Sequence, residues 1–401
     1  MGRPMVWWSA LAGTLAIAAL AFWGLAAFNV RKSWRLTPVL ASMPDQPPPG
    51  GWPMVAAVID SSDDRRWVES GTHSLLAEDL PGLVVVSLDP RAAIATGAIL
   101  DRLAAAEPRL LVVRSAATPD RWLSKLHGLQ SASDAAIAAG VEWLLFTDPD
   151  VVLAPGSVRR AVSFADRVGA DQLLAVPQVV TRGLEERLVL EFSRLVAAVL
   201  TPPWKVDDRR SRAMLGVGAF RLVRAETFRD IGGFGRVRLS VDIDRQFGRA
   251  LKAAGARTRV LDGTGAVHVR PRPGRSGVTR RLERSAFATL NDSTLRVVLS
   301  ISAVLILGLA PVVGLAVGPI FSRLACLLAI AAVTLVSGTS LLTIPVGSIL
   351  FAWSLGRSAW RTLRRGGIRR RGEVVSLADL RYHIRGRERW LGEVWKGTRT
   401  L

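Results

Sequence analysis

Three long stretches of this chain carry no charged residue, and they limit what it can fold into more than any other feature. They are Trp7 to Phe28, Val297 to Phe321 and, after Arg323, Leu324 to Leu355. About 20 mainly apolar residues cross a bilayer as a helix, so the sequence predicts three transmembrane helices. The first run is longer than the roughly 7–15 apolar residues of a secretory leader. No clear small-residue cleavage site follows it, and Arg31, Lys32 and Arg35 come directly after, so it reads as an anchor. The third stretch is long for one span. Either it tilts, or it includes a short interfacial piece around Thr343–Gly347.

Charge sets the expected orientation. The net charge is +20, and its distribution is uneven. Residues 54–266 hold 28 basic and 26 acidic side chains, residues 267–296 hold 7 and 2, and residues 357–401 hold 13 and 4. The excess therefore flanks the apolar stretches, where it attracts anionic lipid head groups. A nucleic-acid partner is excluded, because that would place the basic patch on the folded domain. Basic loops mark the cytoplasmic side. The expected arrangement is an inner-membrane, multi-pass protein with its N-terminus outside and its main domain and basic tail cytoplasmic. The chain divides into an N-terminal anchor (1–36), a Pro/Gly linker (37–53), an α/β domain (54–266), a basic interfacial segment (267–296), two transmembrane helices (297–356) and the tail (357–401). One cysteine, Cys326, excludes an internal disulfide framework, and it reads as inert packing. Nothing in the sequence specifies an oligomeric state.

Within the α/β domain, short apolar runs alternate with helical patterns. Met54–Ile59, Leu83–Leu88, Leu110–Val113 and Trp143–Thr147 read as strands, and Arg66–Leu76, Arg91–Glu107 and Ser124–Ala139 as helices. Uninterrupted apolar strands alternating with helices imply a mostly parallel sheet covered on both faces. Ligands bind beyond the carboxyl ends of such strands. Acids stand at three of those ends: Asp60, Asp63 and Asp64 after the first, Asp89 after the second, Asp148 and Asp150 after the fourth.

The Asp148-Pro149-Asp150 pair is the sharpest feature. Two carboxylates two residues apart at the end of a buried strand suit a divalent cation, Mg2+ or Mn2+, which prefers oxygen ligands and bridges carboxylates to phosphates. Such a cation stabilises a departing diphosphate. Asp242, in Ser240-Val241-Asp242-Ile243-Asp244, precedes a helical pattern over Arg245–Ala254. It reads either as a helix cap or a charge complementary to the helix dipole, or as a general base taking a proton from an acceptor hydroxyl. Arg281 and Arg284 lie three apart on one helical face, placed either to clamp a phosphate or simply to meet the membrane surface. Leu184–Leu200 has helical spacing and is either a core helix or an interfacial one that steers a lipid acceptor. His268 reads either as structural or solvated, or as a metal ligand, a common role for His.

At these residues the chain resembles membrane-bound family 2 glycosyltransferases of GT-A fold, most of all the hopene-associated and ceramide-glucosyltransferase-like branch. The similarity runs over roughly residues 54–300. Arg121-Trp122-Leu123-Ser124-Lys125-Leu126 stands where that branch has Gly-Trp-x-Gly-Lys-Leu. Thr147-Asp148-Pro149-Asp150 matches its Thr-Asp-Ala-Asp. Gly216-Val217-Gly218-Ala219-Phe220 resembles its acceptor-side glycine-rich strand, and Asp242 falls at its catalytic acid. The resemblance implies a nucleotide-diphosphate sugar donor, a divalent metal, a lipid or other membrane-associated acceptor, and inverting hexosyl transfer. It implies that Asp64 and Asp89 contact the nucleoside, that Lys125, Asp148, Arg281 and Arg284 join the donor site, that Asp148 and Asp150 hold the metal, and that Asp242 is the base.

The chain departs from the family at three points, one of them Val241-Asp242, where the family usually carries an acid pair. The opening Pro-Ala-Arg-Asn-Glu is here Asp60-Ser61-Ser62-Asp63-Asp64, and Arg281-Leu282-Glu283-Arg284-Ser285 lacks the family's Trp. These departures motivate an alternative, a degenerate membrane-anchored scaffold that binds a nucleotide or a partner. The missing Trp and the small number of spans place a processive polysaccharide synthase last.

Overall fold

Every residue of strand β1 (Val55–Asp60) is buried, as a parallel strand covered on both faces must be. The computed structural model describes residues 3–61, 65–88, 93–181, 183–269, 294–370 and 373–376, and they fall into two units. In the first unit β1 is followed by α2 (Arg65–Leu76), β2 (Gly82–Leu88), α3 (Ala93–Ala106), β3 (Leu110–Arg114), α4 (Ser124–Ala138) and β4 (Trp143–Phe146). The expected alternation is observed, and β1 pairs in parallel with both β2 and β4, and β2 with β3.

The chain then departs from simple alternation. It continues through β5 (Val151–Leu153), α5 (Ser157–Arg167), β6 (Gln172–Val179), α7 (Pro203–Val206), β7 (Arg221–Arg224), α8 (Ala225–Asp230), α9 (Ile243–Ala253) and β8 (Thr258–Val269). All eight strands form one sheet in the order β3-β2-β1-β4-β7-β6-β8-β5. β7 runs antiparallel to β4 and β6, β5 is antiparallel to β8, and β6 and β8 are parallel. The result is a mixed, mostly parallel α/β sheet. Its core joins both halves through residues such as Val86, Leu145, Ala161, Leu173 and Leu261, all buried.

The Pro-rich segment 37–53 holds a 3-10 turn at Leu40–Ser42 and a lone parallel bridge from Val39 to Asp262, but no longer element, as its composition requires, and it is fastened along its length. Asp262 donates its backbone N–H to Pro38, and Leu40 is fully buried. Asp45 receives two hydrogen bonds of 2.7 Å from Arg159, whose guanidinium also lies 5.3 Å from the Trp52 ring centre.

The second unit is mainly helical: α1 (Arg3–Leu36), α6 (Leu184–Leu200), α10 (Thr294–Val317), α11 (Ile320–Ser337) and α12 (Pro345–Arg364). Among the described residues, three helical stretches are long and apolar enough to cross a membrane: Ala12–Leu36, Thr294–Val317 and Ile320–Ser337. The long third stretch expected at 324–355 is thus two helices. Gly338 ends α11 with φ +64, the left-handed conformation that closes a helix, and Pro345 opens α12. Trp23 donates its indole N–H to the Leu307 carbonyl at 2.9 Å, so the middles of α1 and α10 lie level. Small residues let the helices approach: Gly314 lies against Cys326, and Gly308 against Ser348. The helix at Leu184–Leu200 belongs to this unit, its Phe192 and Leu195 packing with Trp23, Val333 and Ile344.

Candidate functional site

Strand β4 ends at Phe146, and the chain turns through Thr147-Asp148-Pro149-Asp150 into β5. Proline suits such a turn because its φ is fixed and it has no N–H to satisfy. The Val151 N–H closes the turn on the Asp148 carbonyl at 3.1 Å. The Thr147 hydroxyl donates to the Ala219 carbonyl at 2.7 Å. Asp150 is only 3% exposed. Asp148 accepts a hydrogen bond of 2.9 Å from the Lys125 ammonium, which the first turn of α4 delivers. These carboxylates are hard oxygen donors, and among the described residues no group of three or more His, Cys, Asp or Glu could hold a metal. Two carboxylates alone leave most of a cation's positions to water or phosphate oxygens, the way Mg2+ is commonly bound. His268 lies on β8 opposite Val152 and is not part of such a group.

Asp242 occupies the N-cap position of α9, but its side chain makes no capping hydrogen bond. Its charge still stands at the positive end of the helix dipole. Its Oδ2 lies 3.2 Å from Arg245 Nε, and its Oδ1 is 3.6 Å from where a Cβ on Gly216 would stand. The Asp244 carboxylate lies against Gly218, where a Cβ would come within 2.7 Å of Oδ2. Thr147 and Asp242 thus meet one short segment, Gly216 to Ala219, whose ends are at most about 11 Å apart. A second tie joins the same parts: the Leu123 N–H, at the start of the helix carrying Lys125, bonds to the Arg238 carbonyl at 2.9 Å, four residues before Asp242. Behind them Phe146, Phe228, Phe234 and Phe247 form one aromatic cluster, with ring centres 4.5 Å apart at the closest pair. Edge-on and tilted contacts of this kind favour a single arrangement of the elements that carry them.

Two titratable groups with shifted proton affinities brace the segment leading to Gly216. Lys252 donates to the Val206 carbonyl at 2.6 Å, and burial lowers its pKa to about 8. Asp207 accepts the Val260 N–H at 3.0 Å, and burial raises its pKa to about 6.

Of the residues expected at the site, Lys125, Asp148, Asp150 and Asp242 lie on these linked elements. Asp60 is buried at the carboxyl end of β1. Asp64, Asp89, Arg281 and Arg284 lie outside the described residues. Three contributors escaped the sequence reading. Gly71 of α2 lies so close to the acid-pair turn that a Cβ there would be 2.5 Å from the Pro149 carbonyl oxygen. Arg245 pairs with Asp242. Arg221 is buried beneath α9. Only Arg221 left a signal, a lone charge between the apolar Phe220 and Leu222.

Comparison with known proteins adds to this geometry. Among solved structures the chain is similar to the mannosyltransferase PcManGT from Pyrobaculum calidifontis in complex with GDP-Man and Mn2+, with 16% identity and a TM-score of 0.55 over 87% of this chain and 99% of that one. It is also similar to S. aureus TarS 1–349 in complex with UDP-GlcNAc, with 15% identity and a TM-score of 0.41 over 78% of this chain and 92% of that one. No curated protein matches it in sequence. The likeness to the mannosyltransferase is one of fold, and it agrees with the GT-A architecture that the resemblance implied. The family model described as glycosyl transferase family group 2 matches residues 143–355, from the strand carrying the acid pair into α12. That match takes in more than half of the residues, and the chain belongs to glycosyl transferase family group 2.

Proposed function

We propose that the protein transfers one hexose from a nucleotide-diphosphate sugar to a membrane-associated acceptor, a lipid in the simplest case, with inversion at the sugar carbon. The resemblance of its motifs supports a relation to the hopene-associated and ceramide-glucosyltransferase-like branch. The observation that carries this reading is the meeting of the acid-pair turn and Asp242 on the Gly216–Ala219 segment. Asp148 and Asp150 would hold Mg2+ or Mn2+, which neutralises charge on the leaving diphosphate. Asp242 takes the proton of the acceptor hydroxyl, whose oxygen bonds to the anomeric carbon as the bond to the diphosphate oxygen breaks. Lys125 exchanges its contact with Asp148 for the donor phosphates. Asp64, Asp89, Arg281 and Arg284 complete the donor site. The basic segments favour a cytoplasmic main domain and tail, an outer N-terminus, and contact with anionic lipids.

The full chain, purified in detergent, tests this with a panel of nucleotide sugars, a lipid extract as acceptor, and Mn2+ or Mg2+. Asp242→Asn is expected to lower transfer by roughly 10²–10⁴-fold while donor binding persists, the usual contribution of a general base. Asp150→Ala is expected to abolish metal-dependent donor binding. Equal turnover by wild type and Asp150→Ala refutes the metal role. Metal-dependent nucleotide binding with no turnover on any acceptor favours the scaffold alternative.

A further inference from the structure

Arg221 is the only arginine among the described residues with its whole side chain removed from solvent, at 1% exposure. It opens β7 directly opposite Phe146, the last residue of β4 before the acid-pair turn. Its guanidinium donates to Gln172 Oε1, to the Asp244 carbonyl at 2.5 Å and to the Val217 carbonyl at 3.3 Å. It also lies 5.7 Å from the Phe247 ring centre. One buried cation therefore joins three pieces: the sheet through Gln172, the glycine-rich segment through Val217, and the first turn of α9 through Asp244. Gly248 makes room for it, since a Cβ there would lie 2.7 Å from Nη1. Gln172 is itself fully buried and held by Thr258 at 3.0 Å.

A buried charge is costly unless opposite charge compensates it. Burial lowers the Arg221 pKa to about 10, and Asp244 and Asp242 are the charges that oppose this. At neutral pH the group is still a cation. The other ionisable side chains on the elements around Asp242 are Asp244, Arg245, Arg249 and Lys252 on its own helix, Arg236 and Arg238 before it, and Arg212 before the glycine-rich segment. Of those only Lys252 is buried, and it sits toward the far end of α9 with its ammonium on the Val206 carbonyl; water and salt screen the others, whereas the field of Arg221 is screened much less.

We propose that Arg221 is a positioning residue for Asp242, fixing the start of α9 against the Gly216–Gly218 segment and holding the Asp242 carboxylate ionised. The inference rests on the reading of Asp242 as the base. It assigns a separate task to a residue that touches neither donor nor acceptor.

The test uses the full chain in detergent, with transfer measured across pH and donor binding measured by calorimetry. Arg221→Gln is expected to lower kcat about ten-fold or more, to leave donor affinity within about two-fold, and to move the acid limb of the kcat profile up by about one pH unit, the direction expected when a nearby cation is removed from a carboxylate. Arg221→Lys keeps the charge and is expected to restore the acid limb, though not the full rate. If Arg221→Gln fails to fold, Arg221→Met, an uncharged side chain of similar reach, is read for the same acid-limb shift. An unmoved acid limb in the uncharged variants overturns the proposal, whether or not the rate or the melting temperature falls. A limb that stays raised in Arg221→Lys overturns it as well. Asp242→Asn separates the two readings: retained transfer in that variant sinks the base assignment, whereas its loss together with an unmoved limb in Arg221→Gln sinks only the role of Arg221.

Discussion

A helix interior ordinarily prefers Ala to Gly by about 1 kcal/mol. At Gly71 of α2 that preference is reversed, because a methyl group would stand 2.5 Å from the Pro149 carbonyl oxygen and 3.2 Å from the Pro149 Cα. Those are backbone atoms of the turn between the two candidate metal-binding aspartates, and they have no rotamer in which to retreat. Gly71→Ala is therefore expected to destabilise by about 1–3 kcal/mol, as overpacking does, and to weaken Mn2+-dependent nucleotide binding. Gly97 of α3 is the control: a Cβ there meets only Leu88 Cδ2 at 3.5 Å, so Gly97→Ala is expected to be neutral or stabilising. Melting curves with calorimetry on both variants decide it, and wild-type behaviour of Gly71→Ala would falsify the account. The pair also shows what the sequence could reveal. Asp148, Asp150 and Asp242 stand out because their chemistry is unusual at the end of an apolar run. Gly71 and Arg221 acquire their importance from elements 78 or fewer positions away that fold onto them, and no local pattern encodes such an approach.

At the scale of elements, the strands read from Leu83, Leu110 and Trp143 and the helices read from Arg66, Ser124 and Leu184 lie within a residue or two of those observed. Each is a single apolar run or a single helical stripe, so its period is visible. The second half of the sheet was less legible. β5 has three residues and β7 has four, too few to establish a period, and β7 enters antiparallel where simple alternation predicts a parallel strand. The break between α11 and α12 was hidden for a different reason. Gly338 to Thr343 are uncharged, so hydropathy reads through them, although Gly, Ser and Thr supply a turn. That turn is held from α6: Glu191 accepts the Thr343 hydroxyl and the Ser340 N–H, and pairs with Arg187 at 2.6 Å. A carboxylate is expensive in an apolar unit unless it is paired, so its contacts specify where α12 begins. Glu191→Ala strands the Ser340 N–H and is expected to lower stability by about 1–3 kcal/mol. Metal binding proposed for Asp148 and Asp150, which lie in the other unit, should be unchanged. An unaltered unfolding midpoint in detergent would remove Glu191 from this role.

The pH dependence of the whole molecule follows from three buried groups outside the membrane-spanning helices. Glu78 accepts the backbone N–H groups of Ser157 and Val158 at the start of α5, and burial raises its pKa to about 7 despite those bonds and the nearby Arg160. Unfolding returns it to the ordinary carboxylate range. Between about 4.5 and 7 the folded state therefore keeps a proton that the unfolded state releases, and stability falls as pH rises through that window. The effect is on the order of 3 kcal/mol. Asp207, raised to about 6 by burial, acts in the same direction over the lower part of the window. Lys252, lowered to about 8 by burial, acts oppositely and later: above that pH the unfolded chain holds the extra proton, so stability rises as the solution becomes more basic. Together the three groups predict a shallow minimum between about pH 7 and 8. Glu78→Gln keeps an acceptor for the α5 N–H groups but cannot titrate. Its melting temperature should change less than that of wild type between about pH 5 and 7.5, with only the Asp207 contribution left. If the two curves run parallel across that range, Glu78 is not protonated in the folded protein, and its carboxylate must instead be compensated by α5 and Arg160.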